Sequence, residues 1–377
     1  MNRTEHLERN IYITTNVTCN LNCTYCYEDK TSKDTFNVDM TKLQLSTLLS
    51  VKTGKRTIIN LHGGEPFVVF PKIKELCEWL WVQNFPEKFI IFVTSNGTLV
   101  HGEIKEWLTK HKDKFIVGLS LDGTRRMQNI NRSNSFDLID IDFFVETWPK
   151  QGVKMTISPL TIGHLAEGII FLHSQGIQDI RANLAYMVDW ANSIYIQAYQ
   201  RELQKLGVFY KENPNLHKSS IFNVNFASLS EPETVQRKWC GAGTEIVAHD
   251  IDGREYPCHL FFESVCGKEK SEMSKYINFA NPNEFISKEC VNCPVLAICP
   301  TCYGSNYIER DNIANRDMSI CKLNKIRIFE VAKYEYDRIV NSNSNILELS
   351  DEEKFRRVKI LDGIEKILPF LNELNQL

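Results

Sequence analysis

No apolar run in this sequence is long enough to cross a bilayer or to form the core of a secretory signal, and the first ten residues, MNRTEHLERN, are polar and charged. A cytoplasmic location is expected from these absences. Strong charge of one sign is missing too: 44 Lys and Arg against 47 Asp and Glu leave a formal charge of −3, which offers no general pull toward nucleic acid or an anionic membrane. Any partner must then be recognised locally. Internal repeats and low-complexity tracts are also lacking. The 377 residues, 43% hydrophobic and 24% charged, have the balance of a soluble globular protein and suffice for one large domain or two to three smaller ones.

What the chain does have is cysteine. Twelve cysteines in a reducing compartment are poor candidates for disulfides, and their short spacings point instead to metal or cluster ligation. All but Cys77 fall in two groups, one near the start of the sequence and one between residues 240 and 321. Cys77, inside ELCEWLW, reads as a buried helix residue.

From residue 11 to about 205, β-rich runs alternate with helix-length segments. Strands are expected at 11–15, 57–61, 88–93, 115–121, 153–158 and 179–184, with amphipathic stretches at 71–81, 103–111 and 136–148. Such alternation means βαβ units and a parallel sheet, and six units predict an α/β partial (β/α)6 TIM-like barrel. We therefore expect the barrel over 1–205, a connector over 206–235, a small Cys-rich domain over 236–325 and C-terminal helices over 326–377. The Cys-rich stretch has little periodicity, so ligated metal is expected to hold it in place of a large apolar core. Near the end of the sequence, SDEE at 350–353 has the form of a capping box. Phe355, Val358, Leu361, Ile364, Ile367, Leu368 and Leu371 recur at helical spacing, and Pro369 ends or kinks that helix.

Cys19, Cys23 and Cys26 follow the first strand at its C-terminal end, where parallel barrels place their chemistry. Thiolates ligate iron–sulfur clusters, and three of them on a four-iron cube leave one iron free, the mark of a reactive rather than a structural centre. The spacing Cys-x3-Cys-x2-Cys, with Tyr25 before the third cysteine, resembles the signature of the radical S-adenosylmethionine (SAM) superfamily. The resemblance covers about residues 10 to 325. It implies a SAM-binding [4Fe-4S] cluster on Cys19, Cys23 and Cys26, with SAM as co-substrate. It also implies a pocket for SAM at GGEP (Gly63, Gly64, Glu65, Pro66), at Ser95 and Asn96 after the third strand, at Ser120 and Asp122 after the fourth, and at Arg132. Many relatives carry a His-Asp pair before that arginine. Here the residues are Gln128 and Asn129, which receive no role. A zinc fragment is the rival reading of the cysteines, and turn closure that of Ser95, Asn96, Ser120 and Asp122.

The second group runs Cys240, Gly253, Cys258, Cys290-x2-Cys293-x5-Cys299-x2-Cys302 and Cys321, and resembles the SPASM domain that carries auxiliary clusters. A zinc ribbon is the rival, although its two knuckles are normally about fifteen to twenty residues apart rather than five. The resemblance implies two auxiliary [4Fe-4S] clusters. One is held by Cys290, Cys293, Cys299 and Cys321, the other by Cys240, Cys258 and Cys302. Two departures stand out: only two residues separate Cys299 from Cys302 where relatives have three, and Ile246 stands where some relatives place a further cysteine. The fourth ligand of the second set is left open, with Cys266 as one candidate.

The implied activity is hydrogen abstraction by a 5′-deoxyadenosyl radical from a residue of a ribosomally made precursor peptide, installing a thioether or carbon–carbon cross-link. Anaerobic sulfatase maturation, which forms formylglycine, is the alternative. There the equivalent of Cys258 is followed by an aspartate base, whereas this chain has His259, itself a candidate base or a structural hydrogen-bonder. A non-catalytic electron-transfer protein or a zinc-stabilised binding module is the alternative of another class. A reductant such as flavodoxin or ferredoxin is implied. With the first strand starting at residue 11, a leader-binding domain is not expected ahead of it, so leader recognition falls to a separate protein, the Cys-rich region or the C-terminal helices.

Overall fold

The computed structural model describes residues 8–30, 32–230, 238–341 and 349–374. Along the chain run β1 (Glu8–Asn16), α1 (Val38–Leu49), β2 (Arg56–Gly63), α2 (Phe70–Val82), β3 (Phe89–Ser95), α3 (Gly102–His111), β4 (Phe115–Leu119), α4 (Arg125–Asn131), α5 (Ile141–Thr147), β5 (Val153–Ile157), α6 (Leu165–Ser174) and β6 (Ile180–Leu184). The fold class is α/β, with six strands at the six expected places. After them come α7 (Ser193–Glu212), β7 (Ile246–His249), β8 (Glu255–Tyr256), α8 (Glu263–Cys266), α9 (Lys268–Met273), α10 (Tyr303–Arg310), α11 (Met318–Val340), α12 (Asp351–Lys366) and α13 (Leu368–Leu374).

Two compact units divide these elements. The first comprises Met1–Thr156, Leu172–Asp179 and Gly241–Ala280; the second comprises Ile157–Phe171, Ile180–Cys240 and Asn281–Leu377.

The first unit is built on a six-stranded sheet in the order β4-β3-β2-β1-β7-β8, parallel except for the antiparallel pair β7–β8. β1 is central because its residues are paired on both edges, and Ile11 and Ile13 are buried. Helices start where side chains satisfy their first N–H groups: Asn37 accepts from Met40, Thr124 from Met127 and Asp140 from Phe143. Parallel pairing brings the C-terminal ends of β1, β2, β3 and β4 to one edge of the sheet. The loops that follow them therefore meet.

In the second unit α7 and α11 pack together around Tyr199, Leu203, Leu206, Leu323, Ile328 and Val331. α7 runs seven residues into the stretch expected to be a connector, because Leu206 and Tyr210 continue the buried spacing of Tyr199 and Leu203. Residues 231–237, where the expected connector gives way to the Cys-rich region, lie outside the described residues. The capping box at 350–353 is present in its first half: Ser350 Oγ accepts from Glu353 N, 3.2 Å away. The helix breaks at Ile367, two residues ahead of Pro369. Its apolar stripe is only partly covered, since Ile360, Ile364 and Ile367 are buried while Phe355 and Val358 are each 64% exposed.

Candidate functional site

The loop after β1 and the loop after β2 are joined backbone to backbone. Gly64 N donates to Asn16 O (3.0 Å) and Glu65 N to Thr18 O (2.9 Å), while the buried Asn16 side chain donates to Thr18 O (2.6 Å) and Glu65 O (3.1 Å). Only glycine allows this approach. A Cβ on Gly63 would stand 2.3 Å from Asn16 O, and one on Gly64 would stand 2.2 Å from Thr18 O.

Beyond that junction the cysteine loop is held by residues of the segment after β4. Thr24 N donates to Asn131 O (2.9 Å) and Asn22 N to Ser133 Oγ (2.9 Å). Tyr25 Oη donates to Asp122 Oδ2 (2.5 Å), which also accepts from Asn131 Nδ2 (3.1 Å) and pairs with Arg132 Nε (3.0 Å). Asp122 Oδ1 accepts from Thr156 N (2.9 Å), so the fully buried carboxylate has partners on both oxygens. The Arg132 guanidinium lies over the Tyr25 ring, 5.5 Å from its centroid. Burial opposes its charge, but Asp122, Tyr25 and Cys23 together outweigh burial and hold the group more firmly protonated than usual.

The three thiols converge at this place. Cys19 and Cys23 are half-buried and Cys26 is exposed, and Cys26 acts electrostatically on both of the others. Burial pushes the Cys19 thiol up, against the pull of Leu21 N–H and Lys30. It does the same to Cys23, against Arg132 and Lys30. Leu21 N lies 3.4 Å and Asn96 Nδ2 3.9 Å from Cys19 Sγ, donors suited to a thiolate or to a cluster sulfur.

Glu65 is the other buried acid here. Its carboxylate accepts from Phe67 N (3.1 Å), Ser95 Oγ (2.9 Å) and Asn96 N (2.8 Å), and Pro66 opens the short 3-10 turn that Glu65 caps. Burial nevertheless pushes its pKa to about 7. The folded chain therefore holds a proton on Glu65 that the unfolded chain releases near pH 4.5. This group's stabilisation is complete below pH 4.5 and is lost as pH rises through about 7, a change of about 3 kcal/mol. Thermal melts of the cofactor-free protein between pH 5 and pH 8 should show stability falling with pH, and Glu65→Gln should flatten that slope.

Of the residues expected to line a cofactor pocket, Gly63, Gly64, Glu65, Pro66, Ser95 and Asn96 come together beside the thiols. Ser95 Oγ also accepts from Gly97 N (3.0 Å). Asn96 uses Oδ1 for Thr98 and donates from Nδ2 to Asn20 (2.9 Å). Ser120 N donates to Ser95 O (2.9 Å), linking the β3 and β4 ends. Gln128 Oε1 accepts from Asp122 N (2.8 Å) and Asn129 Oδ1 from Phe136 N (3.0 Å), so both shape the segment that carries Arg132. Asp122→Ala should leave Arg132 charged, buried and without its carboxylate. The expected cost is about 3–5 kcal/mol in denaturant unfolding, while Asp137→Ala, at an exposed ion pair with Arg125, should cost under about 1 kcal/mol.

Sequence reading missed a second cluster in this unit. His62, the last residue before GGEP, lies with its ring 4.6 Å from His259 and its Nε2 3.4 Å from Glu28 Oε1. Tyr27 stacks on His259 at 5.8 Å, and Tyr12 of β1 lies 5.9 Å from it. Burial, reinforced by His62 and Lys154, pushes the His259 imidazole well below its ordinary pKa. The same burial and neighbouring charges oppose its taking up a proton.

The second cysteine group is divided between the units. Cys258 and Cys266 belong to the first, with the Cys266 thiol pushed by burial to about 11. In the second unit, Cys293 and Cys321 act electrostatically on Cys299, and Cys290 and Cys293 act on Cys321, so these four thiols share one locale. Cys302 stands at the N-cap of α10 and feels Cys240, and burial pushes its thiol to about 11. All twelve cysteines lie among the described residues and none forms a disulfide. No group of three or more His, Cys, Asp or Glu among the described residues is drawn in tightly enough for a single ion. Thiols grouped in threes and fours, with the Leu21 N–H and the Asn96 amide beside Cys19 Sγ, are the donor chemistry that an iron–sulfur cluster takes.

Residues 13–140 match the sequence model of the Radical SAM superfamily. The chain carries a radical SAM domain. A cysteine-type anaerobic sulfatase-maturating enzyme of Clostridium perfringens is 23% identical over 372 residues, covering 87% of this chain and 96% of that protein. The antilisterial bacteriocin subtilosin biosynthesis protein AlbA of Bacillus subtilis is 32% identical over 104 residues, 28% of this chain and 22% of that protein. Among solved structures, anSMEcpe with bound AdoMet superposes with a TM-score of 0.66 at 18% identity, covering 93% of this chain and 98% of that one. SuiB of Streptococcus suis, bound to its precursor peptide SuiA, gives 0.53 at 16% identity over 83% and 76%. These likenesses share the radical SAM fold, and the cofactors of the domain are a [4Fe-4S] cluster and SAM.

Proposed function

We propose that this radical SAM enzyme is a maturase that removes hydrogen from a residue of a ribosomally made peptide and installs a thioether or carbon–carbon cross-link. The observation that supports this most is the convergence of Cys19, Cys23 and Cys26 beside the Gly63–Pro66 loop, with no fourth cysteine in that loop. Bound there, the cluster and SAM supply one-electron cleavage of a sulfonium and a carbon-centred radical strong enough to abstract hydrogen, chemistry that side chains lack.

The chain's own residues hold and shape the place. The Gly63–Pro66 backbone would receive the methionine amino group of SAM, and Glu65, fixed by Ser95 and Asn96, sets that loop's position. Asp122 and Arg132 brace the cysteine loop through Tyr25, and Ser120, tied to Ser95 through its backbone, completes the polar residues assigned to the pocket. His259, held neutral and packed among Tyr12, Tyr27 and His62, has a structural role beside Cys258, since the burial that keeps it neutral opposes its taking up a proton. Residues 236–325 form the auxiliary-cluster region, with Cys290, Cys293, Cys299 and Cys321 as one ligand set and Cys240, Cys258 and Cys302 as the other. A flavodoxin or ferredoxin delivers the electron, and leader recognition falls to a separate protein, residues 236–325 or the C-terminal helices. Among the described residues no helix is long and apolar enough to cross a membrane.

Formylglycine formation is the second reading, favoured by the similarity to the sulfatase-maturating enzyme over 96% of that protein's length. Against it stands His259, where such enzymes resemble one another in carrying an aspartate. The anaerobically reconstituted protein, reduced and given SAM, should be offered two substrates. One is a sulfatase-derived cysteine peptide, the other the peptides encoded by short reading frames beside this one. Loss of two hydrogens from a neighbouring peptide, with stoichiometric 5′-deoxyadenosine, supports cross-linking. An aldehyde on the sulfatase peptide alone would select the second reading.

A further inference from the structure

The second unit buries two arginines, Arg316 and Arg327, which are 9% and 8% exposed. Neither Nε has a hydrogen-bond partner, and among the described residues neither guanidinium is paired with a carboxylate. The nearby acids are engaged otherwise. Glu330 accepts from Gln200 (2.7 Å) and Gln204 (3.0 Å), Asp317 caps α11, and Glu309 pairs with Arg310. Arg132, by contrast, has Asp122 against it. An arginine cannot discharge itself by losing its proton, so a buried one needs negative charge nearby.

A cluster held by the cysteines beside them would bring that charge. Arg316 Nη1 donates to Cys299 O at 2.8 Å and lies 3.2 Å from Cys299 Sγ. Both arginines act electrostatically on Cys299, and the phenols around them, half-buried Tyr186 and buried Tyr199, are held neutral by desolvation and supply no countercharge. Net charge and hydrogen bonds to sulfur are two of the main determinants of an iron–sulfur centre's potential.

We propose that Arg316 and Arg327 set the electron affinity of the iron–sulfur centre held by Cys290, Cys293, Cys299 and Cys321. Their fixed positive charges favour its reduced, more negative state and make it an electron acceptor. This rests on the auxiliary-cluster reading above and extends it to residues outside the cysteine pattern. The arginines are positioning residues: they change no bond, and the one-electron change occurs at the centre they face.

The test is an anaerobic redox titration followed by electron paramagnetic resonance. It uses full-length protein with Cys19, Cys23 and Cys26 replaced by alanine, so that only auxiliary centres contribute. In this background Arg316→Gln and Arg327→Gln should each shift one centre's reduction equilibrium at least about tenfold toward the oxidised form, or 59 mV for a one-electron couple, leaving the other centre unchanged. Arg316→Lys, which keeps the charge and loses the planar fork, should shift it by less than half as much. An unshifted equilibrium at parental iron content overturns the proposal while the cluster reading stands. Loss of iron in both glutamine variants also overturns it, because the arginines would then be holding the fold. A background protein that contains zinc in place of iron defeats the auxiliary-cluster reading itself.

Discussion

Replacing Cys19, Cys23 and Cys26 together with alanine is expected to reduce 5′-deoxyadenosine formation to background while leaving the fold intact. The separation follows from how the loop is built. Its backbone is fastened by Thr24 to Asn131, by Asn22 to Ser133 and by Tyr25 to Asp122, none of which involves a thiol. Cys26 is exposed and the other two are only half-buried, so alanine removes little packed volume. The thermal midpoint should stay close to that of the cofactor-free parent, and iron should fall by one cluster's share. Cleavage of SAM that persisted in the triple variant would mean that these thiols do not hold the reactive cluster.

Gly64→Ala is expected to be the most damaging small substitution near the site. The added methyl would lie 2.2 Å from Thr18 O, 2.5 Å from Thr18 C and 2.5 Å from Val17 O, all backbone atoms that no rotamer change can move. The two loops must part, losing the bonds from Gly64 N to Asn16 O and from Glu65 N to Thr18 O. Overpacking costs about 1–3 kcal/mol and each lost hydrogen bond about 1, which places the penalty near 4 kcal/mol, or roughly 10 °C in melting temperature. SAM affinity should fall with it, since the displaced backbone is the proposed amino-group receptor. Gly163→Ala is the control: no atom lies within 4 Å of its Cβ, and stability should change by less than about 0.5 kcal/mol. Equal melting curves for the two variants would show that the loops are not locked as described.

The contrast between what could and could not be read from the sequence has a physical origin. β1 to β6 were legible because each is a local run of apolar and β-branched residues between turn signals, and the strands start within two or three residues of the expected places. β7 was not. It is four residues, IVAH, inside a stretch dominated by cysteine, glycine and proline, and what makes it a strand is pairing in register with Asn10–Ile13, far away in sequence. α7 outran its expected end because two further buried residues kept the helical spacing through a segment that reads as polar. α12 showed the opposite failure: periodicity marks Phe355 and Val358 as core, yet both are exposed, since spacing gives a face but not what covers it.

The same division runs through the site. Cysteine spacing and GGEP are dense local signals, and the structure brings both to one edge of the sheet. For Ser95, Asn96, Ser120, Asp122 and Arg132 the family resemblance implies a shared place but not their partners. Their side chains or backbones bind Glu65, Tyr25 and one another. Asn16, Asn131 and His62 carried no spacing signal at all, being single polar residues at strand or helix ends whose importance comes from contacts across loops. Arg316 and Arg327 were equally silent, because only the structure shows both buried and Arg316 set 3.2 Å from Cys299 Sγ.

The most direct measurement is Mössbauer spectroscopy of anaerobically reconstituted, iron-57-enriched protein in which Cys19, Cys23 and Cys26 are kept and Cys240, Cys258, Cys290, Cys293, Cys299, Cys302 and Cys321 are alanine, recorded with and without SAM. A cube in which a single iron changes its spectrum when SAM binds is the predicted result. A protein that binds no cube through those three cysteines, or a cube whose irons all ignore SAM, would contradict the account.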